Sequence, residues 1–331
     1  MNKIEVGETG MMMAARRFLF LLTIASVLAS VPVPVAAQAF TLPQGVGTVT
    51  FGWQYVDNTG HRLSDGSLTL PGGLPTGGTS VDMSFLVETE YGFTDRLAAS
   101  LGLAYVFAKW TDPNPPPGFI PYLPVDSCHC WHSSFQDFSL AVRYRLFDDP
   151  WAVTPLVRAV LPSHDYNHRG EAVVGRDLRE FQVGFGAARR LAGFLPRAFV
   201  QAGYTYAFVE RVLGIPNDRS NGYFGLGYAV SRRLYVRADA RWQRTHGGLQ
   251  FGSPSGDPFF PPGDVNTPER LEQHDRLLRD NYWRIGGGLS YSIGVFDVFA
   301  DFTKYVAGTD THDGQAYTVG LTYYFGGPFR Q

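Results

Sequence analysis

Cysteine is almost absent from the sequence: 331 residues contain two, Cys128 and Cys130, with a single residue between them. Cysteines this close together exclude a framework of disulfides that staples distant parts of the fold. Long apolar runs are also missing after residue 39, so no later segment is able to cross a membrane as a helix. The formal net charge of −2 shows no basic excess, and we expect no nucleic-acid partner.

Glycine and aromatic residues, in contrast, are abundant. The chain contains 38 Gly, 25 Phe, 17 Tyr and 6 Trp, a composition that favours strands over helices. A mean hydropathy of −0.10 is compatible with a soluble protein. It does not exclude a membrane barrel, because barrels cross the bilayer with alternating instead of continuous apolar residues.

The N-terminal region has the three parts of an export signal. An arginine pair at 16–17 precedes an apolar run over residues 18–35, and a stretch of small residues ends at Ala39. Two prolines interrupt the run, which argues against the alternative of a membrane anchor. We predict cleavage after Ala37 or Ala39, which gives a signal peptide over residues 1–39 and one mature domain over 40–331.

Apolar and polar residues alternate with a period of two in the mature chain. In residues 136–146, five large apolar side chains fall on one face of a strand: Phe138, Leu140, Val142, Tyr144 and Leu146. Residues 234–243 repeat the pattern. Each stretch has the roughly 9 to 11 residues that a strand needs to cross a bilayer, whereas strands of soluble sandwiches commonly have about 5 or 6.

The same pattern predicts twelve strands in the whole mature chain. They span residues 46–56, 80–91, 97–109, 135–146, 152–162, 179–189, 197–209, 221–230, 234–245, 280–291, 296–306 and 315–325. Tight turns at 92–96, 147–151, 190–196, 231–233 and 292–295 alternate with longer loops. Bacterial outer-membrane barrels show this asymmetry, with short periplasmic turns, long extracellular loops and both termini in the periplasm.

The predicted fold is therefore all-β: a single transmembrane antiparallel β-barrel of about twelve strands in the outer membrane, preceded by a cleavable signal peptide. A soluble sandwich with an aromatic core is the alternative. Outward aromatic residues near the strand ends are typical of interfacial girdles: Trp53, Tyr55, Tyr91, Tyr105, Phe107, Phe181, Tyr204, Phe208, Trp242, Trp283, Tyr291, Phe302, Tyr323 and Phe325. The expected partners are outer-membrane lipid, lipopolysaccharide and the barrel assembly machinery, for which Phe325 or Phe329 supplies the terminal aromatic.

The inward faces predict a narrow or plugged pore, because twelve strands lie between the filled eight-stranded barrel and the open sixteen-stranded channel. Small inward residues such as Gly225 and Gly227 are expected to leave open space. Charges are segregated, with acids on strands 80–91 and 296–306 and mainly arginine on four others. The predicted lumen constriction comprises Asp82, Glu88, Glu90, Asp137, Arg143, Arg145, Arg158, Arg237, Asp239, Arg241, Arg284, Asp297 and Asp301. These residues form either a brace of ion pairs that stiffens the barrel or a polar filter for cargo, and both interpretations stay open.

Histidine is confined to the predicted extracellular loops and their edges: His61, His129, His132, His164, His168, His246, His274 and His312. Three histidines precede an aspartate directly, a pairing that orients a general base, and a hydrolase at the rim is one alternative. Adjacent residues on a strand point to opposite faces, however, and no G-x-S-x-G sequence is present. We therefore predict no catalytic residue and no enzyme activity.

Residues 128–132 form the most metal-like string, since thiolates and imidazoles suit zinc or copper. The spacing is not that of a C-x-x-C zinc site, so oxidation of both thiols is favoured over metal binding. We predict no metal and no cofactor.

One predicted hairpin contains Asp137, Leu140 and the run Arg143-Tyr144-Arg145-Leu146, followed by a tight turn, Arg158 and Pro162-Ser163. With these residues it resembles the signature hairpin of the meta-pathway phenol-degradation family of outer-membrane proteins. Proteins of that family are regarded as transporters of aromatic and other hydrophobic compounds. The resemblance implies a channel for the passive uptake of a small hydrophobic or aromatic solute. A structural or adhesive surface barrel is the alternative.

The predicted topology can be tested by proteolysis of intact cells. The longest candidate surface loops, 111–133 and 247–278, are expected to be cut first. The turn at 231–233 is expected to stay protected on the periplasmic side. Cleavage of that turn from outside the cell would show that the barrel has the opposite orientation.

Overall fold

The structure, a computed structural model, describes residues 39–68, 79–111, 128–191, 193, 195–252, 263–264 and 267–327. The predicted signal peptide, apart from Ala39, lies outside these residues, as does Phe329. The strands are β1 (Val46–Arg62), β2 (Thr79–Gly92), β3 (Leu97–Thr111), β4 (His132–Phe135), β5 (Asp137–Tyr144), β6 (Ala152–Pro162), β7 (Glu180–Arg190), β8 (Ala198–Val209), β9 (Asn217–Ala229), β10 (Leu234–Gly247), β11 (Asn281–Ile293), β12 (Phe296–Thr309) and β13 (Thr311–Gly326).

Two short helices, α1 (Pro268–Glu272) and α2 (His274–Leu277), lie between β10 and β11. Thr267 caps the first helix, because its side-chain oxygen accepts a hydrogen bond from the backbone N–H of Arg270. Within the described ranges, the structure has no helix long and apolar enough to span a membrane.

The strands form one closed antiparallel barrel. Each strand pairs with its neighbours in the order β2-β1-β13-β12-β11-β10-β9-β8-β7-β6-β5-β3, and pairing of β2 with β3 closes the circle. β4 and β5 both pair with β3 and together form one strand, so the barrel has the predicted twelve. Closure pairs the edge strands with each other, which satisfies backbone groups that lipid cannot hydrogen-bond.

The strand predicted over 135–146 contains a β-bulge at Gln136. Tyr105 pairs with Phe135 and Gly102 with Ser139, so one strand has an extra residue between these two pairs. The backbone N–H of Gln136 donates to the carbonyl oxygen of Ala104 across the bulge. Because the bulge shifts the alternation by one residue, Phe135 and Phe138 both remain exposed on the outer face.

Short turns join the strands at one end of the barrel, here called the turn end, and longer loops join most of them at the other, the loop end. Val46 pairs with Gly326 at the turn end, so the first and last strands begin and end there. By the asymmetry of outer-membrane barrels, the turn end is periplasmic.

The last connection at the loop end corrects the sequence prediction. A loop was expected between residues 306 and 315, but β12 and β13 extend towards each other and leave only Asp310 between them. Asp310 has φ of 50°. The extended ends are accommodated because Thr309 pairs with Asn281 of β11 and Thr311 pairs with Arg62 of β1.

Large apolar side chains cover the outer face, as predicted. The register places Phe85 opposite Tyr105, and Trp242 opposite Trp283. Many of these side chains are exposed, including Phe85 at 53% and Phe181 at 51%. A band of this kind around a closed barrel is a lipid-facing surface, since soluble proteins rarely expose contiguous apolar area of that size.

Glycines on the inner face do not leave the open space that the sequence suggested. A Cβ atom at Gly227 would lie 1.6 Å from the hydroxyl oxygen of Tyr235, and one at Gly225 would lie 3.0 Å from the side-chain nitrogen of Gln201. The space above each of these glycines is thus filled by a larger side chain from a neighbouring strand. Only residues without a side chain permit this close approach.

Leu140 gives a test of the lipid-facing assignment, because it is 46% exposed on the outer face. Leu140→Arg is expected to cost about 2–4 kcal/mol of folding free energy near the bilayer midplane. Ser139→Arg, on the lumen side of the same strand, is the matched control and is expected to cost far less. The measurement is denaturant titration of refolding into lipid vesicles, and equal costs would contradict the assignment.

Candidate functional site

The barrel lumen contains a chamber of about 360 Å³ between β6, β8 and the strands that follow up to β12. Five aromatic side chains contribute to its wall: Phe199, Tyr223, Tyr235, Tyr282 and Phe299. Three arginines and one carboxylate line it as well: Arg158, Arg237, Arg241 and Asp239. The chamber therefore combines apolar ring surface with a basic polar wall.

The aromatic part of the chamber is built on glycines of adjacent strands. Phe199 and Tyr235 stack with their ring centroids 5.3 Å apart and their planes at 7°. Tyr223 lies over Gly203, where a Cβ atom would be 2.2 Å from the ring, and Phe299 lies over Gly320 in the same way. In the sequence, these contacts correspond to inward-facing glycines and inward-facing aromatic residues on neighbouring strands. Which glycine lies opposite which ring can be predicted only when the strand register is known.

The polar part of the chamber is held by ion pairs. The Nε atom of Arg237 donates to Asp301 at 3.0 Å, reaching from β10 to β12 across Gly288 of β11. Arg241 Nε donates to Asp239 at 2.9 Å on the same strand. Arg158 lines the chamber from β6, four strands away from the β10 strand that carries Arg237.

A third ion pair joins two further residues of the predicted constriction. Arg143 on β5 pairs with Glu90 on β2, and the contact passes over β3 between them. The Glu90–Arg143 and Asp301–Arg237 pairs lie at the two junctions between the acidic wall and the arginine-rich flanks. The structure thus brings together four of the predicted charges in pairs across a strand. Their role as a constriction stays a prediction.

The other predicted charges have different surroundings. Asp137 accepts a hydrogen bond from the hydroxyl of Tyr166, and Asp297 accepts one from that of Tyr324 at 2.9 Å. The Asn58 side-chain amide reaches Asp82 at 3.5 Å. The guanidinium of Arg284 lies 4.6 Å from the centroid of the Tyr282 ring, and Glu88 is exposed to the lumen.

Arg145 is bound among the turns at the turn end, and its place in the lumen stays a prediction. It follows the last residue of β5, and its Nε atom lies 2.6 Å from Asp148. Its Nη2 atom donates to the carbonyl oxygen of Asp95 at 2.7 Å. Because both partners belong to turns, Arg145 joins two turns at the turn end.

The chain's own N-terminal segment, residues 39–44, lies across the turn end of the lumen. Ala39 is fully buried against Ala188, and the Thr154 hydroxyl donates to its carbonyl oxygen. The Thr41 hydroxyl donates to the carbonyl oxygen of Asp95 at 2.8 Å. The segment therefore crosses from β6 and β7 to the turn between β2 and β3, and it narrows the lumen below the chamber. Sequence alternation could not reveal it, because the segment is not a strand.

The loop end is covered by a cap, defined here as the described residues of 163–179, 248–252 and 267–280. Its apolar core contains Phe251, Leu249 and Leu277, which are nearly or fully buried. Arg276 ties two parts of the cap together, since its guanidinium donates to the carbonyl oxygens of Arg176 at 3.0 Å and Asp177 at 2.8 Å. Phe251 packs into this core, so the described residues of 247–278 belong to a cover over the loop end.

Asp280 anchors the cap to the barrel. Its carboxylate accepts hydrogen bonds from Arg176 at 2.7 Å, Gln243 at 2.8 Å and Thr311. Burial alone would raise the pKa of Asp280, but Arg176 and the Thr311 hydroxyl outweigh it and hold the pKa below its usual range. The carboxylate is therefore charged at neutral pH and links the cap, β10 and β13.

The three histidine–aspartate pairs do not form a hydrolase site. His312 and Asp313 face different partners, Asp275 and Arg62. Asp165 points into solvent, and His274 with Asp275 is buried under the cap. Burial alone would lower the pKa of His274, but the nearby carboxylates outweigh it and raise that pKa to about 10.

The cysteines are joined in a disulfide between Cys128 and Cys130, the oxidised state that the sequence favoured. Their sulfur atoms are then not available as thiolate ligands for a metal.

No protein-family model matches the chain, and no curated protein matches its sequence. Among solved structures, the COG4313 outer-membrane channel from Pseudomonas putida F1 is similar with a TM-score of 0.64 and 11% identity, over 88% of this chain and 100% of that one. The translocator domain of the autotransporter NalP from Neisseria meningitidis has a TM-score of 0.44 and 12% identity, over 95% of each chain. The Pseudomonas putida toluene transporter TodX has a TM-score of 0.42 and 11% identity, over 86% and 89%.

The likeness to the first of these structures shows the fold. Together with the closed barrel and its apolar outer band, it defines the chain as an outer-membrane β-barrel. The resemblance of the hairpin to the meta-pathway family stays a prediction.

A substitution at Arg143 can distinguish the two interpretations of the lumen charges, a structural brace of ion pairs and a polar filter for the cargo. Arg143→Gln leaves Glu90 without its charged partner, which is expected to cost about 1.5–3 kcal/mol of stability and to shift the reversal potential in a planar bilayer towards cation selectivity. Arg145→Gln is the control, since it makes the same charge change among the turns, and it should leave the selectivity nearly unchanged. If Arg143→Gln lowers only the melting temperature, the ion pair is a brace.

Proposed function

We propose that the protein is an outer-membrane channel for the passive uptake of small aromatic or hydrophobic compounds. The observation that carries the proposal is the chamber in the lumen, where Phe199, Tyr235 and Phe299 present aromatic surface beside Arg158 and Arg241. Buried ring surface of this kind inside an otherwise polar barrel interior suits a solute that is itself aromatic.

The size of the chamber supports a monocyclic solute. A cavity of about 150 Å³ is sufficient to bind benzene in a protein interior. The chamber has about 360 Å³, which leaves room for a ring with one or two polar substituents. The guanidinium groups of Arg158 and Arg241 would meet such a substituent, with the strongest attraction for a carboxylate.

Two further findings favour transport. The chain shares its fold with a protein described as an outer-membrane channel. The hairpin that resembles the meta-pathway phenol-degradation family consists of β5 and β6, and two of its matching arginines, Arg143 and Arg158, project into the lumen. A structural or adhesive barrel would have no need of an aromatic chamber between its two ends.

Benzoate is a suitable probe, because it combines an aromatic ring with a carboxylate and crosses plain bilayers slowly in its charged form. Binding to the purified full chain is measured by equilibrium dialysis, and flux is measured in vesicles that contain the protein. Phe299→Ser removes one ring from the chamber and is expected to weaken benzoate binding roughly 2- to 10-fold, which corresponds to about 0.5–1.5 kcal/mol.

Phe302→Ser is the matched control, since Phe302 lies on the same strand and is exposed on the outer face. This variant should bind benzoate as the unchanged chain does. Equal weakening in both variants, or vesicles that pass no benzoate at all, would contradict the proposal. The second result would favour the structural or adhesive barrel.

A further inference from the structure

Four metal-ligating side chains meet beneath the cap, above the solute chamber: His61, Glu171, His274 and Asp275. Their exposed fractions are 3%, 4%, 0% and 7%, so all four are buried. They come from three separate parts of the chain, namely the end of β1, the loop between β6 and β7, and helix α2. The solute path proposed above uses none of them.

Four of the distances between the ligand atoms are close to those of a metal coordination sphere, and all ligand atoms lie within 4.8 Å of one another. His274 Nε2 lies 3.3 Å from an oxygen of Glu171 and 3.3 Å from Asp275 Oδ1. His61 Nε2 lies 3.5 Å from Glu171 Oε2 and 3.9 Å from Asp275 Oδ1. Bonds of about 2.0–2.1 Å to a tetrahedral Zn²⁺ place ligand atoms roughly 3.3–3.4 Å apart. A small contraction around His61 would complete that geometry.

The orientation of His274 also fits a ligand. Its Nδ1 atom faces the carbonyl oxygen of Leu271, which only accepts hydrogen bonds, so Nδ1 carries the proton. In the neutral ring, Nε2 then presents its lone pair to the two carboxylates. A backbone carbonyl that fixes the tautomer in this way is a common partner of metal-bound histidine.

The charges of the cluster call for a cation. The two buried carboxylates carry a charge of −2, and buried charge of one sign is costly unless it is paired. Without a metal ion, protonated His274 offsets only one of these two charges. The ion pairs of Asp275 are with three histidines, His61, His274 and His312. Within the described part of the chain, neither His274 Nε2 nor Asp275 Oδ1 has a hydrogen bond of normal geometry. One divalent cation would neutralise both carboxylates and use both of these atoms.

We propose that His61, Glu171, His274 and Asp275 bind one divalent transition-metal ion, with Zn²⁺ favoured by the two imidazole and two carboxylate ligands. His312, whose Nε2 atom is 3.4 Å from Asp275 Oδ1, lies at the edge of the site. The Phe251 ring, 5.2 Å from His61 and 5.5 Å from His274 between ring centroids, covers it on the cap side.

A metal ion can enter the site from the lumen, and a bound ion would link separate parts of the fold. A second lumen cavity of about 470 Å³ is lined by Glu171, Asp275 and His312, so an ion can reach the ligands from inside the barrel. A bound ion would join β1, the β6–β7 loop and helix α2. It would therefore hold the cap closed over the loop end, independently of any solute in the chamber.

Metal content of the purified full chain tests the proposal directly. The protein is refolded in detergent without metal, incubated with ZnCl₂ and passed through a desalting column before elemental analysis. One Zn²⁺ per chain is expected, together with a higher melting temperature that returns to its starting value with EDTA. A chain that retains no zinc and shows no shift in melting temperature would overturn the proposal and leave the cluster as ion pairs only.

The variant Glu171→Gln with Asp275→Asn keeps the shape of the cluster and removes both charges. Zinc affinity should fall at least about 100-fold, since the loss of an outer-shell partner alone costs 10- to 100-fold. Asp165→Asn with Glu269→Gln removes two exposed carboxylates at the same end and is the control. Heat-dependent mobility in electrophoresis confirms that both variants have folded barrels, and equal zinc retention by the two would also overturn the proposal.

Discussion

The hydrogen bonds of the peptide backbone are the constraint on which the rest of this structure depends. Lipid offers no partner for a backbone N–H or C=O, so a strand can enter the bilayer only with another strand on each side. The pairing of β2 with β3 closes the circle and meets that requirement for the whole sheet. Closure also fixes the two faces, because each side chain then points either to lipid or to the lumen.

The features that follow from this constraint were readable in the sequence. Alternation with a period of two predicted the strands, and the face of Phe138, Leu140, Val142 and Tyr144 was assigned correctly. The turns at 231–233 and 292–295 were recognised because they are short and lie between strands of bilayer length. The alternation is maintained along each strand because a shift by one residue would place apolar side chains in the lumen and polar side chains in lipid.

The lumen was less predictable, because its contents depend on the register between strands. Gly227 was interpreted as empty space, whereas it accommodates the Tyr235 ring of the adjacent strand. The partners of Arg145 were not predictable from the alternation, because Arg145 follows the last residue of β5 and pairs with Asp148 in the turn. The cap could not be predicted from strand alternation. His61 and His274 are brought together by the packing of loops, and loop packing follows no sequence period.

The N-terminal segment has a mechanical consequence. Residues 39–44 are held in the lumen by a few side-chain contacts, among them the hydrogen bonds from Thr154 and Thr41 and the guanidinium of Arg190 over the Phe40 ring. Each hydrogen bond of this kind contributes about 0.5–1.5 kcal/mol, and none belongs to the barrel ladder. A pull on the segment therefore acts on these contacts and not on the hydrogen bonds that hold the wall of the barrel.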